Sequence, residues 1–167
     1  AARAKELGLK VVTARLFTVY GPGEHSDRLL PSLIMCSQGD SALELTSGQQ
    51  KRDFTYVEDV AEGLLRLGLC RAPGPELVNL ATGRLTAVRD FVEQARNVLG
   101  IPADRLRFGA IPTRSDELKH DGVAVDQLHR LIAWTPSTSI EEGIRRTVEF
   151  VRLNLERQEW QEQGARA

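Results

Sequence analysis

The pattern of apolar positions changes its period several times along the chain. A short apolar and β-branched run over residues 9–17 is typical of a buried parallel strand, and the turn cluster at 20–23 ends it. A helix is then predicted from a cap at Asp27 to about Gln38. Its apolar stripe, which has helical spacing, consists of Leu29, Leu30, Leu33 and Ile34. The first forty residues therefore predict a strand, a turn and a helix.

The rest of the chain continues this alternation. Strands are predicted at residues 43–45, 54–56, 77–81 and 106–108, and a loop at 111–121. Helices are predicted at 1–7, from 57 to the prolines at 73–75, from 86 to a terminal glycine at 100, at 126–131 and from 139 onwards. Ser139 and Glu142 form a capping box for the last helix, and the tail 161–167 is expected to fray. Short strands that alternate with helices indicate an α/β fold.

Composition and charge narrow the range of functions. The 167-residue chain has a formal net charge of −1 and no long basic run, so it shows no electrostatic footprint for nucleic acid. Its apolar stretches are short and interrupted by charges, and no leader peptide opens it, so we expect a cytoplasmic protein without a membrane span. Cys36 and Cys70 lack neighbours at metal-ligand spacing, so we expect buried free thiols and no metal site.

Five segments carry a family resemblance. They are RLFTVYGPG at residues 15–23, RDFTYVEDV at 52–60, NLATG at 79–83, RSDE at 114–117, and LIAWTP at 131–136 with SIEEG at 139–143. In this order they resemble the extended short-chain dehydrogenase/reductase family, which comprises nucleotide-sugar epimerases, dehydratases and reductases. Each segment is modest by itself, but the five lie in register over nearly the whole chain.

The resemblance implies the C-terminal part of a Rossmann-type NAD(P)-binding fold. Residues 1–23 would be the end of the dinucleotide-binding sheet, residues 24–160 mainly a small α/β substrate-binding lobe, and the strand at 77–81 would return to the sheet. Family members carry a glycine-rich phosphate turn and a Tyr-x-x-x-Lys pair before the matching region, and this sequence contains neither. We therefore assign no catalytic residue and expect an inactive fragment. The missing N-terminal half would bind most of the NAD or NADP.

The resemblance also implies roles for residues around the first turn. Phe17 resembles a position beside the nicotinamide, although a plain core aromatic would also explain it. Tyr20 is expected to contact the cofactor, to support the turn, or to do both. Thr18 stands where the family commonly has a substrate-binding asparagine, and a hydroxyl offers no amide fork. Leu29 matches a position that contacts the base or sugar, and core packing would explain it equally well.

Arginines supply the expected phosphate contacts. Arg52 resembles the family's contact to the diphosphate, which a guanidinium binds through two parallel hydrogen bonds. The alternative for Arg52 is an ion pair with Asp53 or Asp59, two carboxylates that are expected to orient loops and to cap the following helix. Arg114 resembles a second arginine that closes over the nucleotide, and Asp116 resembles a ribose partner.

Three hypotheses for the function remain open at the level of sequence. The favoured one is the substrate-binding portion of an NAD(P)-dependent epimerase, dehydratase or reductase, with a nucleotide-diphosphate-sugar as its partner. A homodimer is expected from the family alone. The second hypothesis is a non-catalytic nucleotide-sugar or protein-binding module derived from such an enzyme. The third is a truncated product whose strands expose apolar edges and self-associate.

Overall fold

The computed structural model describes residues 3, 6–71, 77–113 and 122–164, and its elements confirm the predicted α/β class. The strands are β1 (Thr13–Leu16), β2 (Thr18–Tyr20), β3 (Leu43–Leu45), β4 (Lys51–Arg52), β5 (Phe54–Tyr56), β6 (Leu77–Leu80), β7 (Thr86–Ala87) and β8 (Leu106–Phe108). The α-helices are α1 (Leu29–Gln38), α2 (Val57–Leu69), α3 (Val88–Leu99), α4 (Asp126–Ile132) and α5 (Ile140–Gly164), and a 3₁₀ helix covers Ala103–Arg105. Some predictions fall outside the described residues. This applies to parts of the predicted helix at 1–7, of the loop at 111–121 and of the tail, and to the whole of the proline turn at 73–75.

The described strands form four pairs. β1 pairs with β6, β2 with β5 and β3 with β8, all in parallel, whereas β4 and β7 are antiparallel. Parallel neighbours require a crossover: α1 lies in the connection between β2 and β5, and α2 lies in the connection between β1 and β6. Because β1 and β2 follow each other directly, Phe17 lies at the junction between two of these pairs.

Several predicted boundaries are wrong for identifiable reasons. Arg28, not Asp27, is the N-cap residue of α1, and it makes no side-chain capping bond; Asp27 is hydrogen-bonded to the ring of His25. Thr86 does not begin α3, because it pairs with Arg52 in the β4–β7 ladder. β2 was not predicted, since its residues read as the approach to the turn. α5 continues to Gly164, into the segment expected as a tail.

Two apolar clusters stabilise the fold. The larger one lies between α1, α3, α5 and the short strands. The smaller one is formed by buried residues of α2, β6 and α4. Four aromatic rings occupy the centre of the larger cluster: Phe54 stacks on Phe91 with ring centroids 4.2 Å apart, and Tyr20 meets Phe91 edge-on at 5.3 Å. The fourth ring, Tyr56, lies 5.7 Å from Tyr20. Offset and edge-on contacts of this kind add to the stabilisation from burial.

The observed environment of β1 differs from the predicted one. β1 was expected to be buried, but Leu16 is 43% exposed, and Val11 and Val12 before it are also exposed. Within the described residues β1 has one neighbouring strand, β6, whose inner side chains Val78 and Leu80 are fully buried. Among the described residues, no second strand therefore covers these apolar side chains.

Two kinds of feature are absent from the described residues. Among them, no helix has the length and apolar character needed to cross a membrane. The same residues contain no group of three or more histidine, cysteine, aspartate or glutamate side chains arranged to hold a metal ion.

Candidate functional site

A cleft of about 280 Å³ lies between β2, the start of α1, the β4–β5 segment and α3. One wall is apolar and consists of Leu29, Leu30, Phe54, Val88 and Phe91. The charged lining consists of Glu24, Asp27, Arg28 and Arg52, and Thr18 and Tyr20 complete it. An apolar wall with a few convergent polar groups is the usual composition of a small-molecule site.

Four of the predicted site residues converge in this cleft: Thr18, Tyr20, Leu29 and Arg52. The β2–β5 pairing explains the convergence, since it places Thr18 opposite Phe54 and thereby joins two segments that are far apart in sequence. Phe17 is half-buried at the β1–β2 junction, outside the described lining of the cleft. Arg114 and Asp116 lie outside the described residues.

Arg52 is half-buried at the end of β4, and its Nη1 donates a hydrogen bond of 2.9 Å to the carbonyl of Lys51. The alternative prediction was an ion pair with Asp53 or Asp59. Among the described residues, both carboxylates accept hydrogen bonds from backbone amides and hydroxyls and neither forms an ion pair with Arg52.

Asp53 orients a turn, as predicted. Its Oδ1 accepts hydrogen bonds from the Thr82 amide (3.0 Å), the Thr82 hydroxyl (2.9 Å) and the Thr55 hydroxyl (3.1 Å). Its Oδ2 accepts one from the Gly83 amide (2.8 Å). A buried carboxylate that accepts four hydrogen bonds from its own chain, and that does not line the cleft, is a structural anchor.

Asp59 performs the same kind of task elsewhere. Its Oδ2 accepts hydrogen bonds from the amides of Ser137 (3.0 Å) and Thr138 (2.9 Å), and its Oδ1 accepts one from the Thr138 hydroxyl (2.8 Å). This fastens the first turn of α2 to the loop that precedes α5. The prediction that these aspartates cap the helix is wrong: Tyr56 is the N-cap residue of α2, and no side chain caps it.

Tyr20 forms part of the cleft wall while its hydroxyl is directed away from the cleft. That hydroxyl donates to the carbonyl of Ser139 at 3.3 Å, and the ring is packed among the aromatic side chains of the core. Burial raises the pKa of Tyr20 well above its usual range, so the phenol stays neutral. Its hydroxyl is thus hydrogen-bonded to the residue that precedes α5.

Glu24 and Arg28 are cleft residues that the sequence analysis missed. Glu24 Oε2 accepts a hydrogen bond from the Gly21 amide at 3.3 Å, and Glu24 Oε1 lies 3.8 Å from Arg28 Nε. Burial raises the pKa of Glu24, and the Gly21 amide and Arg28 offset part of that rise. The available signal was an acidic and a basic residue four positions apart, just before an apolar stripe.

Glu24→Gln is expected to stabilise the protein at neutral pH. A carboxyl group with a raised folded-state pKa contributes stability below its unfolded pKa, and this contribution is lost as the pH rises through the folded value. Glutamine keeps an acceptor for Gly21 and has no charge to desolvate. The variant's advantage in Tm should therefore shrink as the pH falls from ~7 to ~4, a value close to the ordinary pKa of a glutamate. Glu44→Gln, at an exposed position on β3, is the control. Parallel Tm profiles for wild type and Glu24→Gln would contradict the prediction.

Known proteins are similar to this chain in sequence and in fold. Residues 1–81 match the model of the NAD dependent epimerase/dehydratase family. Over 153 residues the chain is 30% identical to the UDP-glucuronate 4-epimerase of Thermodesulfobacterium geofontis, an alignment that covers 89% of this chain and 45% of that protein. The solved structure of the epimerase Mth375 from Methanothermobacter thermautotrophicus superposes with a TM-score of 0.80 at 26% identity, covering 93% of this chain and 47% of the other.

A ligand-bound structure is also similar. MoeE5 in complex with UDP-glucuronic acid and NAD has a TM-score of 0.75 at 29% identity, covering 87% of this chain and 48% of MoeE5. Together these matches confirm the predicted family: the chain is related to the nucleotide-sugar epimerases and dehydratases of the extended short-chain dehydrogenase/reductase type. It spans about half the length of these relatives.

Proposed function

We propose that this chain binds the nucleotide-diphosphate-sugar of an NAD(P)-dependent epimerase, dehydratase or reductase. The observation that carries the proposal is the cleft, which gathers Thr18, Leu29 and Arg52 and adds a second guanidinium from Arg28. Guanidinium groups are suited to a diphosphate because they bind it through charge-assisted, paired hydrogen bonds. The apolar wall would contact the flat faces of a base or sugar.

The cofactor is proposed to be NAD or NADP, bound for the most part by sequence beyond this chain. Phe17 fits a cofactor contact, because it is half-buried and follows the carboxyl end of a parallel strand, where open α/β sheets bind ligands. Tyr20 fits as a support for that turn, since its hydroxyl is already bonded to Ser139. The nicotinamide would exchange a hydride with the sugar. Residues 1–23 with β6 would form the end of the dinucleotide sheet, and residues 24–160 mainly the substrate lobe.

Calorimetric titration with UDP-, GDP-, CDP- and dTDP-sugars tests the proposal. We expect one of these ligands to bind the wild-type chain, and Arg52→Ala to weaken that binding at least ~10-fold, since a hydrogen bond to a charged group contributes about 1.5–3 kcal/mol. Arg107→Ala, at an exposed position on β8 away from the cleft, is the matched control and should bind as the wild type does.

The titration separates the proposal from its alternatives. If the folded wild-type chain binds none of the four nucleotide-sugars, the cleft is not a nucleotide-sugar site. Equal losses in Arg52→Ala and Arg107→Ala would show that the cleft has no specific phosphate contact at Arg52.

A further inference from the structure

Asp53 connects the cleft to the rest of the fold through its backbone and its side chain. Its backbone carbonyl accepts the Thr18 amide at 3.0 Å, and its chain neighbours Arg52 and Phe54 both line the cleft. Its side chain lies outside the cleft and is anchored to the turn of Thr82 and Gly83. The same residue therefore touches the two strands that carry the predicted substrate contacts.

The anchoring turn is itself fixed in place. Gly83 has a φ of +77°, a conformation that side-chain-bearing residues rarely adopt, and a Cβ there would lie 3.0 Å from the side chain of Val125. The Thr82 hydroxyl also accepts the Arg84 amide at 3.1 Å. The turn is therefore held by its own hydrogen bond and lies close to Val125.

The short strands need such a support. β4 contains two residues and β2 contains three, so their ladders supply few hydrogen bonds. Asp53, which is 2% exposed, contributes four hydrogen bonds through its carboxylate. Hydrogen bonds to a charged acceptor are roughly twice as strong as neutral ones, so this carboxylate is a strong attachment of the segment that carries Arg52.

We propose that Asp53 is a positioning residue: anchored to the Thr82–Gly83 turn, it sets the distance between Thr18 and Arg52 and thereby the affinity of the cleft for a diphosphate. This inference rests on the proposed function of the cleft. The carboxylate acts through Thr18 and Arg52 and does not touch the ligand.

Asp59 provides a matched control within the same chain. Like Asp53 it is a buried carboxylate, and it accepts two backbone amides and one hydroxyl. Its bonds hold the loop before α5, and within the described structure no residue of α2 lines the cleft. Loss of Asp59 therefore reports the cost of removing a buried anchor whose hydrogen bonds involve neither Thr18 nor Arg52.

The test compares Asp53→Asn with Asp59→Asn by ¹⁵N NMR and thermal unfolding. In the absence of ligand, the Thr18 amide and Arg52 Nε–H signals should shift or broaden in Asp53→Asn and stay at their wild-type positions in Asp59→Asn, whereas both variants lose Tm. Titration with inorganic pyrophosphate, a diphosphate without a base, should then show at least ~10-fold weaker binding in Asp53→Asn only, or about 1.4 kcal/mol.

Milder variants cover the case in which an aspartate variant does not fold. Thr82→Val removes one hydroxyl from Asp53, and Thr138→Val removes one from Asp59. The first should shift the Thr18 and Arg52 signals and weaken pyrophosphate binding; the second should do neither.

The outcomes separate the two proposals. Unchanged Thr18 and Arg52 signals and unchanged pyrophosphate affinity in a destabilised Asp53→Asn protein would overturn the inference. If these signals move in Asp53→Asn alone while the wild-type chain binds neither pyrophosphate nor any of the four nucleotide-sugars, Asp53 positions Thr18 and Arg52 but the proposed function of the cleft fails.

Discussion

Phe91→Ala is expected to lower the free energy of unfolding by about 3–5 kcal/mol, the usual range for truncating a buried phenylalanine. Phe91 is 1% exposed, stacks on Phe54 and meets the edge of Tyr20. Alanine would leave a void bordered by two rings, and packed interiors close such voids only in part. Native domains are stable by about 5–15 kcal/mol, so this single change removes a large share of the total.

Urea denaturation measures the loss, with Phe150→Ala as the control. Phe150 lies on α5 and is 46% exposed, so its truncation should change stability by less than about 0.5 kcal/mol. A loss below about 1 kcal/mol in Phe91→Ala would contradict the close packing of α3 against the aromatic rings. Because Phe91 also lines the cleft, the surviving folded protein should bind nucleotide-sugars more weakly.

The sequence predicts the helices well and their first residues less well. In α3 the buried residues Phe91, Val92 and Ala95 have helical spacing, and Gly100 ends the helix in the left-handed conformation, as predicted. The start is displaced by two residues because Thr86, a good cap by composition, pairs with Arg52 in a strand ladder. A partner far away in sequence therefore decides whether a local capping signal is used.

Burial is less predictable than secondary structure. The composition of β1 is typical of a strand covered on both faces, yet Leu16 is exposed, because among the described residues only β6 lies beside it. Periodicity and residue type report the environment for which a strand is suited, not what surrounds it in a particular chain. Self-association through this exposed apolar surface stays a prediction.

The candidate site, like the fold, was predicted from the sequence only in part. Thr18 and Arg52 were selected from a family resemblance, and the β2–β5 register explains why two distant segments meet in one cleft. Sequence spacing does not specify that register. Glu24 and Arg28 were missed because charged residues ahead of a helix are usually solvated, and only the path of the chain into α1 turns them toward the cleft.

Gly143→Ala and Gly68→Ala, two substitutions of helical glycines, are expected to change stability in opposite directions. A Cβ at Gly143, in α5, would overlap the hydroxyl oxygen of Tyr20 and lie 2.8 Å from its Cζ. At Gly68, in α2, no atom of the described residues outside the adjoining helix backbone lies within 4 Å of the added carbon. Alanine favours a helix over glycine by roughly 0.5–1 kcal/mol, so Gly68→Ala should raise stability by about that amount.

The cost at Gly143 arises because Tyr20 has no room to move. Its ring is packed against Phe54 and Phe91, and its hydroxyl is bonded to Ser139. Forcing one additional methyl group into a packed interior typically costs about 1–3 kcal/mol, and we expect the upper end because a rigid ring would have to yield. Since Tyr20 also lines the cleft, Gly143→Ala should weaken nucleotide-sugar binding while Gly68→Ala leaves it unchanged. Thermal unfolding together with calorimetric titration distinguishes the two, and a gain in stability from Gly143→Ala would show that α5 does not pack against Tyr20.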